Sequence, residues 1–388
     1  MKLVAILWVA FVLNYVDRQA VFSMFPALRQ DLGFTSTELG LTGAVFLWVY
    51  SLASPVGGWL ADRFRRDRLV IGSLVIWSLM TASTGLATGA PGFLLARALM
   101  GFSEALYLPA ALALLAAVCP DRQRSRALAF HGTGQMIGTV VGGWLGGWLA
   151  ERFGWSFGFL ALASVGLLYA PLLGRALPES PPAVVRTEKK GILRSWCYWS
   201  LVVAFSGYCL VLWMMYAWFP DHLQRKFNLS LSEGGLMATF WLQGSTAVSV
   251  VLCGILADRL RGRWASARFW IVACGIAFSA PFAWLAMTLE NPTSVILASL
   301  GFGLAAGGLH SNLISAAYDV IPPSSHGKAV GLLNLIGGLA GGAAILAFGQ
   351  WRGAVTWIVV IAIAGALALA ATLRFRFEKE RVSDELLA

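Results

Sequence analysis

Charge is scarce in this sequence: only 12% of its 388 residues are Asp, Glu, Lys or Arg. That is about half the share that gives a soluble domain its water-facing surface. A chain so long and so poor in charge lacks an exterior for water, which points to lipid as its solvent. Other absences narrow the reading. There is no Walker loop, dinucleotide fingerprint or zinc-ligand spacing, so neither an enzyme, a cofactor, a metal site nor ATP-driven work is expected. The five cysteines (Cys119, Cys197, Cys209, Cys253 and Cys274) form no CxxC pair and lie mostly inside apolar runs. They read as small packing residues. The soluble domain or long tail usual for a receptor or scaffold is lacking too.

What the chain has is 58% hydrophobic residues, 42 Gly and 17 Trp, a mixture suited to close helix packing and interfacial belts. Apolar runs long enough to cross a core of about 30 Å recur along it. They fall at 3–25, 39–60, 69–88, 93–118, 126–149, 155–174, 196–220, 235–257, 268–289, 293–318, 327–349 and 353–373. The first resembles a signal peptide, but no small-residue cleavage site follows it, so it reads as a span. Lipid demands that every backbone group be satisfied internally, and the runs are too long for barrel strands. The predicted fold is therefore an all-α membrane protein of twelve transmembrane helices. The longest connection, 175–195, carries Pro178, Pro181, Pro182 and Lys190. It divides an N-terminal six-helix bundle, 1–174, from a C-terminal one, 196–388, that ends in a short tail.

The basic residues orient the chain. Twenty-two of the 29 Lys and Arg fall on one side: Lys2, the loops after spans 2, 4 and 8, the linker, Lys328 and the tail. The other side holds Arg29, Arg152, Arg225, Lys226 and Arg352. By the positive-inside rule both termini are cytoplasmic. Anionic headgroups and topology thus account for the net charge of +10 better than nucleic acid does. The halves also repeat. Gly58-Trp-Leu-Ala-Asp62-Arg63 after span 2 returns as Gly254-Ile-Leu-Ala-Asp258-Arg259 after span 8. Matching loops in two six-helix halves indicate a parallel repeat about an axis along the membrane normal.

These loops resemble the signature of the major facilitator superfamily, Gly58-x-x-x-Asp62-Arg63-x-x-Arg66, with its second copy at Asp258 and Arg259. The resemblance covers essentially the whole chain and implies two pseudo-symmetric bundles working by alternating access. Asp62, beside a helix end and a basic cluster, is suited to latching cytoplasmic helix ends. A narrower resemblance lies in the first half. Asn14-Tyr15-Val16-Asp17-Arg18 in span 1, and Arg97-Ala-Leu-Met-Gly101-Phe-Ser-Glu104-Ala105 with Pro109 in span 4, resemble the anion:cation symporters of sugar acids and other organic anions. Tyr50 and Gln135 match that family's binding positions, and Trp218-Phe219-Pro220 and Asn334 are similar to it less distinctively. Asn-Tyr-x-Asp-Arg and Glu104-Ala-Leu-Tyr107 also look like Spinster-type lipid transporters.

Ionisable side chains inside a span cost several kcal/mol each unless paired or solvated, so the few present carry information. Arg97 and Glu104 are seven apart, two turns along one face of span 4. With spans 1 and 4 adjacent, Asp17 is expected to meet Arg97 while Arg18 reaches a central cavity. Burial disfavours an ionised carboxyl, which makes Glu104, with Asp17 second, the expected proton-coupling group. Arg18 presents a planar fork matched to a carboxylate and is the expected anion anchor, helped by Arg97. Tyr15, Tyr50, Gln135, Ser311, Asn312 and Asn334 are candidate substrate contacts, and His310 is a candidate titrating group. A small-residue stripe, Gly134, Gly138, Gly142 and Gly146, permits close helix approach or sliding between halves. Around span 10, Leu309-His310-Ser311-Asn312-Leu313-Ile314 is less polar than a polyhydroxy acid calls for.

The expectation is a proton-coupled symporter of a small organic anion, a carboxylate, with the proton as coupling ion. Its setting is a monomer among the lipids of a bacterial inner membrane. A Spinster-like carrier of lysolipid is the alternative, and a drug/proton antiporter is disfavoured because span 5 lacks a Gly-Pro. The orientation is directly testable: a fluorescent protein fused after Ala388 should mature and fluoresce, whereas alkaline phosphatase fused there should be inactive. The reverse pattern would invert the topology.

Overall fold

The computed structural model describes residues 2–180, 195–322 and 325–381, less the side chains at 121, 122 and 125. The described residues form thirteen α-helices and no strand. In chain order they are α1 Lys2–Ser23, α2 Phe25–Leu32, α3 Ser36–Arg63, α4 Arg66–Gly85, α5 Ala90–Val118, α6 Asp121–Phe153 and α7 Trp155–Ala176. The second half contributes α8 Trp196–Phe227, α9 Leu231–Arg261, α10 Ala267–Thr288, α11 Pro292–Val320, α12 His326–Gln350 and α13 Ala354–Glu380. Twelve are long, in register with the twelve apolar runs, and eleven of those are also apolar enough to cross a membrane. The exception, α6, has length to spare at 33 residues, but its glycines and polar first turns dilute its hydropathy. The 181–194 part of the expected linker lies outside the described residues.

The thirteenth helix, the short α2, is the element that apolar runs could not announce. The chain bends at Met24 and restarts with Pro26 in the first turn of α2, where a missing N–H is no loss. It ends on Gly33 at φ 66°, the left-handed cap that glycine adopts without strain. Thr35 then opens α3 with a capping box: its hydroxyl accepts from Glu38 N–H, and the Glu38 carboxylate accepts from Thr35 N–H at 2.8 Å.

The contacts divide the chain into two compact units, residues 1–185 with 216–240, and residues 186–215 with 241–388. The C-terminal part of α8 and the N-terminal part of α9 therefore belong with the first unit, a grouping that chain order does not suggest. Within that unit α1 runs along α6, α3 along α5, and α4 packs against α5 and α7. In the second unit α10 packs against α11 and α13.

Glycine sets the closest of these approaches. The α6 stripe lies against α1, inside a single unit: a Cβ on Gly142 would sit 2.7 Å from the Val16 carbonyl, and one on Gly146 would sit 2.6 Å from the Ala20 Cα. The stripe is thus a seam between neighbouring helices of one unit. Likewise a Cβ on Gly101 of α5 would meet the Phe46 carbonyl of α3 at 2.5 Å. In the second unit Gly341 packs on Trp213 of α8, while Gly327 and Gly331 have nothing within 4 Å.

Overpacking of this kind costs about 1–3 kcal/mol. Gly101→Val should therefore lower the melting temperature of the purified protein clearly, whereas Gly72→Val, with nothing within 4 Å, should not. Equal melting of the two variants would refute the α3–α5 seam.

Candidate functional site

Two helices of the first unit, α1 and α5, bring together four buried charged side chains, two of each sign. Asp17 and Arg18 come from α1, Arg97 and Glu104 from α5, and none is more than 4% exposed. Arg18 Nη2 donates to Glu104 Oε2 at 2.7 Å and Arg18 Nε to the same oxygen at 3.2 Å. Both donors converge on one oxygen, so Glu104 Oε1 is buried without a hydrogen-bond partner. Arg18 Nη2 also reaches Asn14 Oδ1, at 3.4 Å.

Aromatic faces complete the holder. The Arg18 guanidinium lies 4.6 Å from the Tyr15 ring centre, 4.7 Å from Tyr50 and 4.9 Å from Phe46. The Arg97 guanidinium lies over the same Phe46 ring, also at 4.9 Å. Each cation is thereby held by ring quadrupoles where water is scarce. Phe46 precedes Tyr50 by one turn of α3, and it is the residue that sequence reasoning passed over. Its only signal was that spacing; no polarity marked it.

Arg97 donates to the Thr42 carbonyl at 3.4 Å and contacts Met100 Sδ at 3.1 Å, leaving Nη2 buried without a partner. Asp17 lies within electrostatic reach of Arg97 and Glu104, but it forms no ion pair with either among the described residues. The expected Asp17–Arg97 pairing thus gives way to Arg18–Glu104, because the register of α1 against α5 turns Arg18 toward Glu104.

One turn along α5 from Glu104, the Tyr107 hydroxyl donates to the Leu7 carbonyl at 2.7 Å. Its 3.3 Å contact with His131 Nε2 must then be donated by the histidine, which fixes the Nε2–H tautomer. His131 also stacks on Phe11, centroid to centroid at 4.5 Å. Gln135 on α6 is half-buried, and its side chain makes no hydrogen bond among the described residues.

The candidates of the second half lie in the second unit. Asn312 Nδ2 is used by its own helix, donating to the Gly308 carbonyl at 3.0 Å and to Ser311 Oγ at 2.9 Å. Ser311 in turn donates to the Gly307 carbonyl. Asn334 is exposed. His310 Nε2 stands 3.0 Å from the Tyr208 hydroxyl. Tyr208 is a partner that sequence reasoning did not name.

In the loop motif, Gly58 has open space around its Cα and Arg63 lies over the Trp59 ring at 4.3 Å. Arg66 is buried and donates to the Ala61 and Ala113 carbonyls, tying α4 to α5. Asp62 makes no ion pair among the described residues. Its neighbour Asp67 takes Arg65 at 2.8 Å. In the second copy Asp258 accepts from Arg268, and Asp319 accepts from both Arg261 and Arg268. Arg259 makes no ion pair among the described residues. Asp67, Asp319 and the fully buried Asp221, which holds Arg29 at 3.2 Å, were not singled out from sequence.

A model of the Major Facilitator Superfamily matches residues 7–345. The chain is 30% identical over 396 residues to the probable anion transporter 4, chloroplastic, of Oryza sativa subsp. japonica, covering 92% of this chain and 66% of that one. It is 24% identical over 401 residues to the D-galactonate transporter of Escherichia coli O6:H1, covering 93% of each. Among solved structures, a bacterial homolog to the human lysosomal transporter Spinster superimposes with a TM-score of 0.82 at 19% identity, over 98% of both chains. At that identity it establishes the fold alone.

Breaking a buried ion pair by removing one partner costs about 3–5 kcal/mol. Arg18→Met should therefore destabilise the protein. Adding Glu104→Gln to Arg18→Met should restore most of the lost stability. Thermal unfolding of the four proteins of this cycle measures it.

Proposed function

The chain belongs to the Major Facilitator Superfamily, and from that premise we propose that it is a secondary active transporter coupling a proton to the movement of a small organic anion, a carboxylate. The observation that carries this reading is the single buried Glu104 carboxylate whose Oε2 holds Arg18 while its Oε1 has no partner. A free Arg18 fork would suit a substrate carboxylate, but Glu104 occupies it. Substrate and Glu104 compete for one cation. A proton arriving at Oε1 neutralises the competitor, so proton and anion favour each other's binding, and by linkage the effect is reciprocal.

Charge balance leads to the same coupling. Two carboxylates and two guanidiniums leave the buried cluster neutral, and an incoming anion would add a charge that the interior can hold only at high cost. One proton restores neutrality. When the proton leaves, Glu104 retakes Arg18 and displaces the anion. Arg97, with its unpartnered Nη2, is a second group able to meet the substrate, and Tyr15 and Tyr50 give it apolar faces. Anion-transporting relatives, one of them named for a sugar acid, support the substrate class. Moving this cluster between the two sides by alternating access requires no cofactor. The proposed setting is a bacterial inner membrane, with the arginine-rich loops and both termini in the cytoplasm.

Uptake into proteoliposomes, measured with a panel of carboxylates and lysolipid as competitor, tests the reading. An inward proton gradient should stimulate uptake of at least one carboxylate. Glu104→Gln should abolish that stimulation while sparing solute exchange. Stimulation by lysolipid alone, or unchanged coupling in the variant, would overturn it.

A further inference from the structure

The second unit carries an apolar groove of about 340 Å³ where α9, α10 and α11 meet, within the size range of small-molecule sites, about 300–1,000 Å³. Its shape follows from side-chain size. Small residues, Cys253, Gly275, Ala305 and Gly308, make the floor. A Cβ on Gly308 would already lie 3.1 Å from Ile271, so little stands between the helices there. The walls are large and exposed: Leu256, Trp264, Phe278 and Leu304 are each 47–62% accessible. From the start of α10 at Ala267 to Phe278 the groove follows about 16 Å of helix. That is close to the depth of one leaflet, half of a core of about 30 Å.

One end of the groove is apolar throughout; the other opens on charge. Trp264 lies in the turn between α9 and α10 and stacks on Trp270 at 5.9 Å. Its indole N–H makes no hydrogen bond among the described residues. Arg263 immediately precedes it, and Arg259 stands one turn beyond Leu256 on α9. Both arginines are exposed and have no partner among the described residues. Their neighbours Arg261 and Arg268 are taken by Asp319 and Asp258. Four guanidiniums thus face two carboxylates, and the surplus positive charge sits at the mouth of an apolar channel.

We propose that this groove is a binding site for an anionic phospholipid, with one acyl chain along α10 between Leu256, Phe278 and Leu304 and the phosphate at Arg259, Arg263 and the Trp264 indole. An apolar channel open to hydrocarbon fills with an acyl chain, and unpaired guanidiniums at headgroup level select the charge above it. Tryptophan suits that boundary because its ring is apolar and its N–H is a donor. The groove is lined by residues of the second unit alone, and the proposal does not depend on which solute the chain carries.

Native mass spectrometry of the purified protein, titrated with phosphatidylglycerol and phosphatidylcholine of identical acyl chains, tests this. Phosphatidylglycerol should be retained in preference. The double variant Arg259→Gln/Arg263→Gln should reduce that preference by about 25-fold, taking about fivefold per arginine, and should leave phosphatidylcholine binding unchanged. Inorganic phosphate should not compete. Cys274 lines the groove and is exposed, so phosphatidylglycerol should also slow its alkylation by a maleimide in the unmodified protein. That readout needs no variant to fold. Equal retention of the two lipids, unaltered preference in the double variant, or protection of Cys274 by dimer formation instead of lipid would each overturn the proposal.

Discussion

Two guanidiniums and two carboxylates share the interior of the first unit, and the short Arg18–Glu104 contact is the bond that makes this tolerable. Each ion taken from water costs several kcal/mol even after relaxation, and attraction offsets that only when geometry is good. Here the offset comes from two donors on one oxygen and three aromatic faces around one guanidinium. The surrounding packing can be understood as what holds that geometry. Gly101 lets α5 approach α3 closely enough for Phe46 to serve both arginines. The α6 glycines let α1 settle into a fixed register, which in turn aims Arg18.

The same contact is incomplete by design of its geometry. A carboxylate satisfied at both oxygens would be a static brace, with no reason to release its arginine. Glu104 has one oxygen engaged and one without a partner, so protonation changes the balance of the cluster without first breaking a second hydrogen bond. Function in this reading depends on a polar group left short of its full bonding. Such a deficit is costly in a low-dielectric interior, and it persists where the surrounding helices leave the side chain no alternative.

The two halves share architecture but not electrostatics. Where α1 and α5 meet through Arg18 and Glu104, α8 and α11 meet through the Tyr208 hydroxyl and the His310 ring. Asn312 and Ser311 spend their donors on α11 itself. Charge in the second half is concentrated at the helix ends, around Asp258, Asp319 and their arginines. A repeated scaffold has therefore kept its loop signature, while among the described residues the Arg18–Glu104 pair on α1 and α5 has no charged counterpart between α8 and α11.

Much of this was legible from residue type alone. Twelve helices, their order and their division into related halves follow from apolar run length and the repeated Gly-x-x-x-Asp-Arg loop, because lipid imposes one solution on the backbone. That Asp17, Arg18, Arg97 and Glu104 stand out follows from the expense of charge in a span, and the structure buries all four. Which of them pair does not follow. Arg18 and Glu104 are 86 positions apart, and their contact depends on how α1 and α5 are rotated, a matter of side-chain packing with no local sequence signal. Phe46 is one phenylalanine among 23, and only the tertiary arrangement sets it beneath two arginines. Solvent dictates the segments that cross, so sequence determined them; packing dictates rotation and register, so only the folded structure decided which charges meet.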